Sequence, residues 1–221
     1  MYCGTDYGRL YKSTDGGFNW ELYNSGVPEE YRKERVTALY LDPENNAQLY
    51  AGFSGRESRK NLFRSTNAGA SWEIIDTPED WTTGGILHIY RSKGSLNRLY
   101  VGLGWWHGLY YSSNNGNSWE KAQASAGIQC IAGHLTRPEL LLAGCSDGQV
   151  LIRSTDAGFS WVASVEGINP RSKFTGVRSL AFAPSDPDIV YAGVTQGATG
   201  LHRSSNGGES WIRVNDIEEI S

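Results

Sequence analysis

The sequence predicts an all-β fold: one domain over residues 1–221, built as a β-propeller of four-stranded antiparallel blades, most simply five of them. Three observations carry this prediction. An octapeptide recurs five times at near-regular spacing, and each copy sits in the same succession of short alternating runs. The composition, with 27 Gly, 8 Trp and 12 Tyr but a single Met, suits short strands joined by tight turns around bulky aromatic packing.

The octapeptide reads STDGGFNW from residue 13, STNAGASW from 65, SSNNGNSW from 112, STDAGFSW from 154 and SSNGGESW from 204. The starts lie 52, 47, 42 and 50 residues apart. Immediately upstream come RLYKS, NLFRS, GLYYS, VLIRS and GLHRS. Before these lie MYCG, LYAG, LYVG, LLAG and VYAG. Earlier still come VTALYLDP, ILHIYRS, IQCIAGH and VRSLAFAP, and a short run such as WEIIDT or WIRVND follows each Trp. Period-two alternation, β-branched and aromatic residues and Gly/Pro/Asn boundaries mark all of these as strands. Four-stranded units of ~40–50 residues are the signature of propeller blades, which bury both sheet faces by stacking around an axis.

The expected blades cover approximately 1–26, 36–78, 84–125, 127–165 and 174–216. The first lacks an innermost strand. Trp119 precedes the next first strand, at Ile128, by 9 residues, and the same step from Trp211 reaches Ile220. Residues 217–221 are therefore expected to close blade one, giving a five-bladed ring. The competing arrangements are part of a six- to eight-bladed ring and completion by assembly of chains.

The octapeptide has a structural explanation. Asp15, Asn67, Asn114, Asp156 and Asn206 are expected to accept backbone N–H bonds one or two residues on. The glycine two residues later supplies a conformation costly for other residues. Trp20, Trp72, Trp119, Trp161 and Trp211 are expected to fold over the turn and fill the gaps between blades. A calcium loop is disfavoured, since three of the five acidic positions are Asn and no terminal bidentate Glu follows. The four histidines show no metal-ligand spacing. No metal and no cofactor are expected.

The net charge of −4 and the lack of a basic run argue against nucleic-acid binding. No run approaches ~18 apolar residues, so no membrane span is expected. No secretory leader is read at the start of the sequence as written, so the expectation is a cytoplasmic protein, or an extracellular or periplasmic one if a leader was removed. Cys3, Cys130 and Cys145 form an odd set that reads as free thiols.

The octapeptides resemble the Asp box, or bacterial neuraminidase repeat, of the sialidase-like propeller superfamily. The resemblance covers the whole chain and is specific for the fold. Similar boxes occur in sialidases, xyloglucan-cleaving glycoside hydrolases, sortilin-type receptors and photosystem assembly factors, so the fold does not choose the function.

Meander connectivity puts the boxes and the strand one–two turns on one face, and the strand two–three loops and blade connectors on the other. In propellers of this superfamily the second face carries the site. There lie SGRESRKN (54–61), GWWHG (104–108) and the connectors PEEYRKER (28–35), PEDWTTGG (78–85) and NPRSKF (169–174). Trp105 and Trp106 form a candidate stacking platform with Trp81 and His107 beside them, and Arg56 and Arg59 stand at the rim. The sialidase Arg-Ile-Pro motif is absent. A glycoside hydrolase needs two carboxylates across a cleft, for which Asp6 and Asp147 are the candidates; GTDYGRLYKS (4–13) also resembles the xyloglucanase segment that bears a catalytic Asp. The reading is a non-catalytic binding or scaffold propeller for a carbohydrate or protein partner, a monomer or small assembly. The alternatives are a glycoside hydrolase or its truncated relative, and a structural unit that assembles by sheet completion.

Overall fold

The structure is a computed structural model that describes residues 1–54, 61–81, 85–92, 98–104, 107–122, 124, 126–146, 148–170 and 172–214. It is all-β, with five antiparallel meander sheets in chain order. Blade one has three strands, β1 (Tyr2–Gly4), β2 (Leu10–Lys12) and β3 (Glu21–Leu22). Blade two comprises β4 (Val36–Leu41), β5 (Leu49–Phe53), β6 (Leu62–Ser65) and β7 (Glu73–Ile74). Blade three comprises β8 (Ile86–Arg91), β9 (Leu99–Leu103), β10 (Leu109–Ser112) and β11 (Glu120–Lys121). Blade four holds β12 (Ile128–Gly133), β13 (Leu141–Cys145), β14 (Leu151–Ser154) and β15 (Val162–Ala163). Blade five holds β16 (Gly176–Ala183), β17 (Asp186–Thr195), β18 (Gly200–Ser204) and β19 (Ile212–Arg213).

In blades one to four the second strand carries a glycine whose reason lies in the next blade. A Cβ on Gly4 would stand 2.4 Å from Val36 Cγ1, one on Gly52 2.4 Å from Ile86 Cγ2, and one on Gly102 2.6 Å from Ile128 Cγ2. At Gly144 the obstacle is the Val177 carbonyl oxygen, at 2.4 Å. Val36, Ile86, Ile128 and Val177 each sit where the first-to-second strand pairing slips past one residue. Such a bulge re-aims the side chain, here onto the preceding blade's glycine. Gly193 of blade five meets only Ser179 Oγ of its own blade.

Four apolar clusters fill four junctions between consecutive blades: Leu10 with Phe63 and Trp72, Tyr50 with Ile86 and Val101, Tyr100 with Leu141 and Ile152, and Leu142 with Val177 and Trp211. The middle strands β5, β9 and β13 are buried at every residue, whereas β17 alternates. Among the described residues no cluster, hydrogen bond, ion pair or ring contact joins blade five to blade one. The expected closing segment, 217–221, lies outside the described residues.

The octapeptide turn follows one scheme five times. The first-position serine hydroxyl accepts the N–H of the fifth-position glycine, at 2.8–2.9 Å. It also donates to Oδ1 of the third residue, at 2.7–3.0 Å. That same Oδ1 accepts the seventh residue's N–H, at 2.9–3.1 Å. The acidic position thus reaches four residues ahead, not one or two as expected, because it spans a complete turn closed by two left-handed residues. The fifth position has φ from 82° to 98°, and the fourth is left-handed too, with Ala68 at 57° and Ala157 at 60°. Asp and Asn interchange because the seventh side chain adapts. Asn19 and Ser160 donate to the carboxylates of Asp15 and Asp156, whereas Ser71, Ser118 and Ser210 accept from the amides of Asn67, Asn114 and Asn206.

The box tryptophans divide into two groups. Trp72, Trp119 and Trp211 donate Nε1–H into the preceding blade, to the Tyr23 carbonyl, the Asp76 carbonyl and Ser164 Oγ. Trp20 and Trp161 instead bond their own Gly17 and Gly158 carbonyls. Cys130 and Cys145 are buried free thiols, pushed upward in pKa chiefly by burial, and Cys3 is an exposed one. Among the described residues no helix is long and apolar enough to cross a membrane.

Two predictions follow from this packing. Gly52→Ala and Gly102→Ala overpack a blade junction and are expected to cost about 1–3 kcal/mol each in urea unfolding; Gly193→Ala costs less, since only a rotatable hydroxyl stands in the way. The hydrogen bonds from Asn19 and Ser13 lower the Asp15 pKa from 3.8 to about 2. Its stabilising contribution is therefore full above about pH 4 and is lost as pH falls toward 2. An NMR titration of the Asp15 carboxyl with a midpoint near 4 would contradict this.

Candidate functional site

The third and fourth strands of each blade place one residue pair at the same cross-strand position. The pairs are Tyr11–Leu22, Phe63–Ile74, Tyr110–Lys121, Ile152–Ala163 and His202–Arg213. Apolar pairs suit a position at the blade's edge of the core. Blade five departs by pairing an imidazole with a guanidinium, and there a cavity of about 370 Å³ opens on the loop-rich face. Gly167, Asn169, Gly197, Ala198, Thr199, His202 and Arg213 line it. The corresponding place in blade four is a smaller cavity of about 280 Å³, lined by Ile152, Trp161, Ala163, Val165 and Pro170 among others.

Local structure explains the position of each wall. The connector is held where Trp211 N–H donates to the Glu166 carbonyl at 2.9 Å. Gly167 (φ 82°) passes so close beneath Trp211 that a Cβ would lie 1.8 Å from its carbonyl oxygen. Ile168, 3% exposed, anchors the strap and leaves Asn169 at the cavity. The opposite wall is the β17–β18 loop, which turns through two left-handed residues, Gln196 at 53° and Gly197 at 81°. The buried Thr175 hydroxyl donates to the Gln196 carbonyl at 2.6 Å and fixes that turn.

His202 is 2% exposed and its Nδ1 has no protein partner. Burial lowers its pKa, and the Arg213 charge lowers it further against an opposing bond to the Gly200 backbone, so the ring is neutral at pH 7. Gly200 lets the guanidinium come close: a Cβ there would stand 3.1 Å from Arg213 Nε. The cavity thus combines a neutral imidazole, a guanidinium, an amide and a hydroxyl, with no carboxylate among its lining residues. Such a set hydrogen-bonds hydroxyl or carboxylate groups but supplies no acid–base carboxylate pair.

The residues singled out from the sequence are distributed differently. Trp81, expected at the binding face, is 1% exposed and packs edge-on against Tyr110 and Trp119, with ring centroids 5.0 and 4.9 Å away. It fills the junction between blades two and three because the 3-10 turn Glu79–Trp81 points the ring inward, so it offers no stacking surface. His107 is half-buried in the β9–β10 turn, its N–H donating to the Gly104 carbonyl at 3.4 Å. Trp105, Trp106, Arg56, Arg59 and Asp147 lie outside the described residues. Asp6 is well exposed and stands 3.7 Å from Arg35 Nε. The first strands VTALYL, ILHIYR, IQCIAG and GVRSLAFA carry no Asp or Glu. Among the described residues no cluster of His, Cys, Asp and Glu is placed to hold a metal ion. His202 and Arg213 were not singled out from the sequence; setting the five third- and fourth-strand segments in register sets them apart, with Tyr110–Lys121 of blade three, from the apolar pairs of blades one, two and four.

Comparison with known proteins places this architecture. No protein-family profile matches the chain. A xyloglucanase of Paenibacillus sp is 24% identical over 228 residues, covering 97% of this chain and 20% of that protein. The GH74 xyloglucanase from Xanthomonas campestris superposes with a TM-score of 0.77 at 20% identity, over 96% of this chain and 36% of that one. A structure of Ycf48 bound to D1 peptide aligns with a TM-score of 0.53 at 14% identity, over 99% of this chain and 80% of its own. The chain thus spans between a fifth and about a third of the xyloglucanases it matches. These likenesses, with the five sheets, make it a β-propeller related in fold to GH74 xyloglucanases and Ycf48.

Replacing the blade-five pair by its blade-four counterpart, His202→Ile with Arg213→Ala, is expected to preserve the fold and the urea midpoint while removing the polar wall. Collapse of the fold in this double variant would show that the pair serves packing instead.

Proposed function

We propose that this chain is a non-catalytic binding propeller whose loop-rich face holds a carbohydrate in the blade-five cavity. The observation that carries the reading is the His202–Arg213 pair, which puts hydrogen-bonding groups where blades one, two and four keep apolar pairs. A buried, neutral imidazole with a free Nδ1 beside a guanidinium, the Asn169 amide and the Thr199 hydroxyl suits a ligand rich in hydroxyl groups. The xyloglucanase likenesses favour a plant-type glucan as the first ligand to try. The likeness to Ycf48 bound to D1 peptide keeps a protein partner on the same face as the second. A glycoside hydrolase working through Asp6 and Asp147 is the less supported reading, since the described Asp6 is solvated and near Arg35.

Calorimetric titration with xyloglucan oligosaccharides, alongside a glycan array, tests the reading. Binding by the unaltered chain that falls at least tenfold in His202→Ile/Arg213→Ala, without release of reducing sugar, is the expected result. Turnover that disappears in Asp6→Asn or Asp147→Asn would replace the binding reading with the hydrolase. Binding to the array that the double variant retains would move the site away from blade five.

A further inference from the structure

We propose that the blade-four cavity is a binding site for an aromatic ring, the phenol or indole side chain of a protein partner. The repeat itself shows what this position takes. In blade two, Tyr31 of the preceding connector packs edge-on against Phe53 and Phe63, with ring centroids 5.6 and 4.9 Å away. In blade three, Trp81 of the preceding connector packs in the same way against Tyr110 and the box Trp119. Phe63 and Tyr110 hold the cross-strand position that Ile152 holds in blade four, where its partner is Ala163. Two connectors thus carry a ring of their own into the place beneath the loops and bury it, Tyr31 to 5% exposure and Trp81 to 1%.

Blade four keeps the place, but its connector brings no ring. The connector reads AQASAG from residue 122 to 127, with no aromatic residue in it. Ala122, Ala124 and Ala126 are buried in the junction core and reach it only with methyl groups. Beside them lies the cavity of about 280 Å³, bounded by Val150, Ile152, Trp161, Ala163, Val165 and Pro170. Trp161 and Trp119 hold the same octapeptide position, so the cavity offers the kind of aromatic wall on which Trp81 rests in blade three. An apolar protein cavity of about 150 Å³ already admits benzene. The larger blade-four cavity has room for a phenol or an indole.

The walls are fixed and the mouth is open. Val150 is held in the left-handed region at φ 56°, a strained conformation for a β-branched residue. The Leu151 N–H closes a tight turn around it on the Gln149 carbonyl at 2.6 Å, and its own carbonyl accepts the Cys145 N–H at 2.9 Å. Val150 and Ile152 form a buried floor, whereas Gln149, Ala163 and Pro170 are exposed at the rim. The Trp161 N–H is already committed to the Gly158 carbonyl, which leaves Gln149 as the polar side chain of the lining. A sugar ring would leave its hydroxyl groups unpaired on such a floor, and an aromatic face would not. In both filled blades the ring arrives on a peptide segment, and the solvent-facing rim leaves room for the backbone of one.

Methyl NMR during titration with N-acetyl-tryptophanamide, a short Trp-centred peptide and free indole tests this. The amide and the peptide are expected to shift the Val150 and Ile152 methyls saturably, with a Kd of about 1 mM, and to bind about tenfold more weakly to Ala163→Phe. That variant sets a ring at the mouth from an exposed position, so its urea midpoint is expected to stay unchanged. Pro170→Trp narrows the mouth from the opposite wall and is expected to weaken binding likewise, so the test does not rest on one variant. No saturable shift at these methyls, or affinity unchanged in both variants, would overturn the proposal. So would indole binding with the peptide excluded, which marks a small-molecule site, or xyloglucan oligosaccharides moving the same methyls, which marks a sugar subsite. Binding that appears only in Trp105→Ser/Trp106→Ser would assign the cavity to the chain's own loop and overturn it too. His202→Ile/Arg213→Ala leaves these lining residues unchanged and is expected to retain the aromatic ligand, so failure here and failure of the carbohydrate reading are told apart.

Discussion

The structure depends on one contact repeated at four blade junctions, the hydrogen bond from a cationic side chain of one blade to the backbone carbonyl at the fourth position of the next blade's octapeptide: Lys12 to Ala68, Arg64 to Asn115, Arg98 to Ala157 and Arg153 to Gly207. Two successive left-handed residues close the turn that presents this carbonyl to the preceding blade, and a serine hydroxyl and an Asp or Asn side chain hold the turn by accepting its N–H groups. Local hydrogen bonding within eight residues thereby sets the stacking of entire sheets. The second-strand glycines Gly4, Gly52, Gly102 and Gly144 work toward the same end from the inside, since each missing Cβ is the hole that receives the next blade's first strand. Inner knob and outer tether together fix both the spacing and the rotation of neighbouring blades.

The same framework explains why a polar site arises in blade five. Every blade repeats a cross-strand position beneath its loops, and an apolar pair there continues the core. His202 and Arg213 exchange that core contribution for hydrogen-bonding groups, and Gly167 and Gly200 let the connector and the guanidinium pack closely around the cavity. Burial keeps the imidazole neutral, so it meets a ligand as a hydrogen-bonding group rather than as a charge. The likeness to xyloglucanases and to Ycf48 belongs to this framework, shared by proteins whose names describe different activities.

The repeat made most of the architecture legible before any coordinates. Five octapeptides and their flanking runs gave the number of sheets, the strands in each and the side of the molecule on which the boxes lie, because period-two patterning and turn chemistry act over a few residues. They also directed attention to the loop-rich face, where NPRSKF supplies Asn169 to the cavity. Trp81 misled for a physical reason: a tryptophan in a connector reads as exposed, and only the inward tilt of a single helical turn buries it against Tyr110 and Trp119.

The sequence by itself determined the blade, since each of its turns and strands is specified by residues close together in the chain. Tertiary structure alone decided how the blades meet: that Gly52 and Gly102 are holes for isoleucines more than 25 residues away, that Arg64 and Arg153 reach carbonyls in the next turn, and that His202 is buried with an unpartnered nitrogen. Those properties depend on side chains brought together across sheets, where no local pattern records the partner.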